Sequence, residues 1–189
     1  MLITVNRYHF SSQNYFDMIA AGILSEHDRV ELIQGEVVQM AAIGSRHAAC
    51  VNRLNHLLTQ RFGSQPVIIS VQNPIHLSDG NIPEPDISLL RHQEHFYANA
   101  LPTAKDVHLV INVADSSLEY DQAIKLPLYA AAGIPACWLI DLTRHQVSVC
   151  QGPGKTGYGD IQVYQSTDIL QLAALGLSLS VSTILPRES

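Results

Sequence analysis

Lysine is nearly missing from this chain: Lys105, Lys125 and Lys155 stand against eight arginines in 189 residues. Charge of either sign is thin, at 15% Asp, Glu, Lys and Arg, where an average soluble protein carries roughly 25%. Eleven basic residues against seventeen acidic ones leave a formal charge of −6. That excludes a constitutive nucleic-acid coat, because counterion release needs a broad basic surface; a local basic patch and active-site carboxylates remain compatible with it. Cysteine is scarce too. Cys50, Cys137 and Cys150 form no close pair in sequence, which excludes a disulfide framework and leaves buried, reduced thiols as the expectation. No stretch approaches the roughly 18 unbroken apolar residues of a membrane span, and Met1 to Phe10 has no apolar leader core. A soluble, cytoplasmic protein is expected.

Apolar residues, by contrast, make up 47% of the chain. The length suits one domain over residues 1–189, with a core from about 10 to 185. A chain of this size buries about 70% of its unfolded surface, so it folds without disulfides or a structural metal.

Hydrophobic periodicity and turn residues set the expected elements. Ser11 to Leu24 reads as a helix, with Ser11 and Ser12 as caps and Gly22 near its end. Val30 to Met40 is strand-like on both sides of Gln34-Gly35. A two-residue hairpin there pairs Ile33 with Glu36 and Glu31 with Val38, bringing the two glutamates near each other on one face. Ser45 to Phe62 is helical, with Cys50, Val51, Leu54, Leu57 and Leu58 inward and Arg53, His56 and Gln60 outward. Strands are expected at Val67–Leu77, Asp86–Leu90 and Val107–Ala114, with a polar loop between the last two. A helix follows over Asp121–Ala132, closed by Gly133 and Pro135. A hairpin of Ala136–Asp141 and Gln146–Cys150, an edge strand at Asp160–Gln165 and an apolar tail at Leu175–Leu185 complete the chain. A helix between Ala114 and Ala136 lets the strands it joins run parallel. The fold class is α/β (α+β), a mixed sheet flanked by helices.

Several motifs fail on their chemistry. Gly152-Pro-Gly-Lys-Thr-Gly157 lacks the phosphate-loop spacing and has strands on both sides, so it is a turn. His92 and His95 sit one helical turn apart without a zinc frame around them. Ser116 and Ser117 lack the glycine-flanked elbow of a hydrolytic nucleophile and suit a cap instead. The basic group Arg46, His47, Arg53, His56 and Arg61 on the second helix offers either a solvated face or a phosphate-contacting surface.

More informative is a set scattered through the chain: Glu31 and Glu36, Asp86 after Pro85, Asn112, Asp121 and Lys125. Asp86 opens a strand, where a carboxylate can hold hydrated Mg²⁺. Asn112 is the polar residue near the end of an apolar strand and a second ligand position. Lys125 can neutralise a phosphate or help activate water.

Glu31-Leu-Ile-Gln-Gly-Glu36, Pro85-Asp-Ile-Ser-Leu89, Ile111-Asn-Val-Ala-Asp-Ser-Ser117, Tyr120-Asp-Gln-Ala-Ile-Lys-Leu-Pro-Leu-Tyr129 and Ala132-Gly-Ile-Pro135 with Trp138-Leu-Ile-Asp141 resemble the Uma-type family of restriction-endonuclease-like proteins, within the PD-(D/E)XK nuclease superfamily. The resemblance spans Phe10 to Leu185. It implies a restriction-endonuclease-like mixed sheet of four to five strands and metal-dependent hydrolysis of DNA phosphodiesters with Mg²⁺ or Mn²⁺. It places Asp86 at the first metal carboxylate, Lys125 at a catalytic lysine moved onto a helix, and either Glu31 or Glu36 at the assisting glutamate. Asp121 matches an acidic position one turn before the lysine, and Pro127 implies a bent helix. Two positions depart: Ala136 replaces a usual glutamate, and Asn112 stands where the family carries the second metal-binding Glu. Asn112 keeps a carbonyl ligand without its charge, so a non-catalytic DNA-binding or interaction protein on the same fold is the alternative. DNA is the expected partner, contacted through Arg46, His47, Arg53 and Arg61. The low charge and apolar tail suggest a covered surface and a homodimer.

Overall fold

A computed structural model describes residues 7–25, 27–63 and 65–185. Residues 1–6, part of the opening stretch read for a leader core, lie outside the described residues. Helix α1 (Ser12–Ala20) starts where expected: the Ser11 hydroxyl accepts the Asn14 N–H, and the Asn14 side chain returns to the Ser11 backbone. It stops earlier than the apolar pattern suggested, because the chain turns at Ala21 and Gly22, the latter at φ +71.

The hairpin of β1 (Val30–Ile33) and β2 (Glu36–Gln39) has the expected register, Glu31 against Val38 and Ile33 against Glu36. Gln34 and Gly35 both have positive φ, as a tight hairpin turn with matching twist requires. Helix α2 (Ser45–Phe62) has its predicted bounds and buries Cys50, Val51, Leu54, Leu58 and Phe62.

One six-stranded sheet organises the remainder: β3 (Val67–Val71), β4 (Ile87–Arg91), β5 (Val107–Ala114), β6 (Ala136–Asp141), β7 (Gln146–Gly154) and β8 (Gly157–Gln165), in that order. Only β5 and β6 are parallel, joined by the helical crossover. Strand β3 ends at Val71 rather than Leu77, where Gln72 adopts φ +50 and breaks the extended run. Strands β7 and β8 run on to Gly154 and Gly157, so Lys155-Thr156 is a two-residue hairpin turn.

The crossover helix is not uniform. It consists of α3 (Leu118–Tyr120), a π-turn over Asp121–Lys125 and α4 (Leu126–Ala131). The Leu126 N–H reaches back five residues to Asp121 O, which places the widened turn immediately before Pro127. The expected bend takes this form because proline has no N–H to continue an α-helical ladder. Among the described residues, no helix is long and apolar enough to cross a membrane.

Each sheet face carries its own core. Helix α2 packs on one, with the β9 (Ile169–Leu172) and β10 (Leu177–Ser180) hairpin and α5 (Val181–Ile184). Helix α4 packs on the other, with Ile75 and Tyr158. The apolar tail is covered by its own chain: Leu170, Leu172, Leu177, Val181, Ile184 and Leu185 are buried beside α2. It therefore offers no covered surface to a second copy, contrary to the sequence-based argument for a dimer. The cysteines are free and buried, and Cys137 faces Cys150 across β6 and β7. Burial pushes both thiols up, that of Cys150 to about 11.

Candidate active site

Asp86 directly precedes β4, one step beyond the Ile87–Ile111 pair, and so faces Asn112 of β5. Its Oδ2 accepts the Val113 N–H at 2.8 Å, and its Oδ1 lies 3.0 Å from His47 Nε2 and accepts from Gln72 Nε2 at 3.4 Å. The carboxylate is thus held by three separate elements. His47 belongs to the first turn of α2, and the bond to Asp86 raises its pKa above the ordinary histidine value despite burial.

Asn112 shares its face of β5 with Val110 and Ala114, toward α4, because strand side chains alternate. It is 3% exposed, and its side chain adjoins the buried Tyr129 of α4. Lys125 comes from the π-turn, and its ammonium sits 2.9 Å from Glu31 Oε2, with both side chains buried. The same Glu31 oxygen accepts the Glu84 N–H at 3.1 Å.

These residues border one cleft of ≈190 Å³, lined by Glu31, Glu84, Asp86, Asn112, Asp121 and Lys125, with His47 and Arg29 also at its walls. Residues drawn from Arg29 to Lys125 therefore converge. Burial, then the charge of Glu31, raises the Glu84 carboxyl. Burial also pushes Asp121 up to about 6, against a hydrogen bond from Ser117 and the charge of Lys125. Asp121 lies inside the π-turn and accepts from the Ser117 hydroxyl at 2.7 Å. Ser117 occupies the N-cap position of α3 without making a side-chain cap bond, so its hydroxyl serves Asp121 instead.

Glu36 stays outside the cleft. It bonds Arg7 at 3.0 Å on the exposed hairpin end, so of the two candidate glutamates only Glu31 joins the site. The arginines of α2, read in sequence as a solvated face or a phosphate-contacting surface, also make contacts within the chain. Arg46 reaches the Leu142 carbonyl and Asp115, Arg53 donates to Leu185 O at 2.6 Å, and Arg61 donates to Gly176 O at 2.7 Å. These guanidiniums tie the helix to later segments, because a helix packed against the chain's own C-terminal elements brings its long cations beside their free carbonyls. His47 is turned to Asp86 instead. Arg29, Glu84 and Gln72 were missed in sequence; an arginine before a strand and a glutamate before a proline look like ordinary surface residues there.

Oxygen donors dominate: four carboxylates and an amide stand around a small cleft beside His47, with two of the acids raised above their ordinary range. That chemistry fits a hard divalent ion that keeps most of its waters. No group of three or more His, Cys, Asp or Glu side chains is arranged to hold a metal among the described residues, so no preformed cage accompanies it.

The family model described as "Uma2: Putative restriction endonuclease" matches residues 13–182. A crystal structure described as a putative nuclease belonging to DUF820, from Anabaena variabilis ATCC 29413, is similar in fold. It has TM-score 0.71 and 16% identity, covering 87% of this chain and 94% of the other. No curated protein matches the chain. The six-stranded mixed sheet flanked by helices is a nuclease-like fold, and the chain belongs to the Uma2 family of restriction-endonuclease-like proteins.

Proposed function

We propose that the cleft hydrolyses DNA phosphodiesters with a divalent metal. The carrying observation is the convergence of Glu31, Asp86, Asn112 and Lys125 on one small cavity. Asp86 and Asn112 are the residues to hold Mg²⁺ or Mn²⁺, which supplies Lewis-acid polarisation of the phosphate oxygens. Lys125 Nζ lies 2.9 Å from Glu31 Oε2, and a lysine ammonium there neutralises charge developing on the phosphate.

A second reading, a DNA-binding or interaction protein without catalysis, is favoured by one observation: Asn112 supplies no second anion beside Asp86. Calorimetric titration of Mg²⁺ and Mn²⁺, with plasmid nicking in parallel, separates the two. Binding at millimolar concentration or tighter, with nicking, both lost in Asp86→Ala, supports hydrolysis. No heat and no nicking leave the second reading.

The homodimer is also part of this proposal, now supported by the low charge and by exposed Ile161 and Val163 on edge strand β8. Light scattering giving a monomer at tens of micromolar refutes it. The free, buried thiols support a cytoplasmic location.

A further inference from the structure

Beside the cleft lies a second cavity of ≈690 Å³, which shares Arg29, Met40, Ile43 and Glu84 with it. Its size falls within the range of small-molecule sites. Apolar and aromatic side chains, Tyr15, Phe16 and Ile19 among them, form its walls, and Gln72 and Asn73 add amides. Arg29 stands where the cavities meet, half-buried, and its guanidinium makes no hydrogen bond or ion pair among the described residues. Arg29 and Gln72 both hold left-handed backbone, φ +47 and φ +50, a conformation that non-glycine residues keep only when the surroundings impose it. Gln72 also donates to Asp86 Oδ1 at 3.4 Å, so the two cavities share a polar contact.

We propose that this second cavity receives an unpaired nucleobase, with Arg29 on the adjoining phosphate. A guanidinium beside an apolar, aromatic hollow matches the two halves of a nucleotide: an anion and a flat, mostly apolar ring. Phe16 offers a stacking surface, and the amides of Gln72 and Asn73 can meet a base edge. A base inside a duplex cannot enter without leaving its stack. The proposal rests on the nuclease reading and narrows its substrate to single-stranded or locally opened DNA.

The test is fluorescence anisotropy without divalent metal. It compares a labelled oligodeoxythymidine of a dozen nucleotides with an abasic strand of equal length and charge, and with a duplex. The oligodeoxythymidine binds about tenfold more tightly than the abasic strand and more tightly than the duplex. Phe16→Ala and Ile19→Glu erase the base preference. Arg29→Gln weakens both single strands by about tenfold. Phe16 and Ile19 are 38% and 45% exposed, so both variants keep the fold, which unchanged melting temperatures verify. Equal affinity for abasic and base-bearing strands overturns the proposal, and so does a preference that survives both variants. If Ile19→Glu instead dissolves a dimer seen by light scattering, the cavity is an interface between copies and the proposal falls. Plasmid nicking keeps the two readings apart. Metal-dependent nicking without a base preference sinks only the cavity, whereas a base preference without nicking sinks only the nuclease.

Discussion

Asn112→Glu is the sharpest perturbation of the proposed site. It puts a second carboxylate on β5 opposite Asp86, in a position 3% exposed. Two residues paired across antiparallel strands lie about 5 Å apart. At that distance, with an effective dielectric of about 20, two like charges repel by about 3 kcal/mol. Without metal, the variant therefore loses up to about 3 kcal/mol, or takes up a proton with a raised pKa. For a chain of this length that is a fall of about 6–12 °C in Tm. A divalent ion bound between the two acids reverses the loss, since ligand at about 100 times its Kd returns about 2.7 kcal/mol. Asn112→Gln is the control: it matches glutamate in size without its charge. Scanning calorimetry with and without Mg²⁺ or Mn²⁺ reads the stability, and plasmid nicking reads the activity. The variant should melt low in chelator, recover in metal and nick faster than the parent protein. If its melting temperature does not respond to metal more strongly than that of Asn112→Gln, the assignment of Asn112 and Asp86 to one metal is refuted.

Lys125→Met leaves Glu31 buried without a counter-charge and should cost about 3–5 kcal/mol in urea denaturation, most of it recovered by adding Glu31→Gln. Equal stability of the single and double variants contradicts the buried pair. The folded-state pKa of Asp121, about 6, lies above its unfolded value. Stability should therefore fall by up to about 3 kcal/mol as pH rises from about 4 to 7. Asp121→Asn should remove that part of the slope, measured by denaturation at each pH. Alanine at Arg46, Arg53 and Arg61 together should lower the Tm, because each guanidinium holds a main-chain carbonyl. An unchanged Tm, with the salt slope of DNA binding reduced by about 2–3, would instead return them to the phosphate surface.

What the sequence revealed depended on how strongly a local pattern overrode its surroundings. Helix α2 and strand β5 were legible to their end residues because an unbroken apolar stripe and a run interrupted only by His108 and Asn112 leave few alternatives. The Gln34-Gly35 turn gave the hairpin register, since a two-residue turn dictates the pairing beyond it. The premature end of β3 was not legible. Gln72 turns to left-handed backbone where its side chain and N–H both meet Asp86, and that contact is tertiary. The π-turn escaped for a similar reason, although Pro127 announced a bend. At the site, alternation could not choose between Glu31 and Glu36; Lys125 chose, from a different element. The arginines of α2 were read as a surface because their partners, Leu142, Gly176 and Leu185, lie far along the chain.

The anchoring of α2 to the C-terminal segments has a consequence for biosynthesis. Cys50 meets Ile184 across 134 residues of chain, and Arg53 meets Leu185 across 132. One face of the sheet is thus sealed by residues that follow α2 by 132 to 134 positions. During translation, Asp86, Asn112 and Lys125 all emerge while α2, which carries His47 against Asp86, still lacks its covering layer. Contacts this distant in sequence close late, because their loop entropy must be met first. Closure of the α2 layer is therefore a late step of folding, and the His47–Asp86 contact at the cleft is set in place only with it.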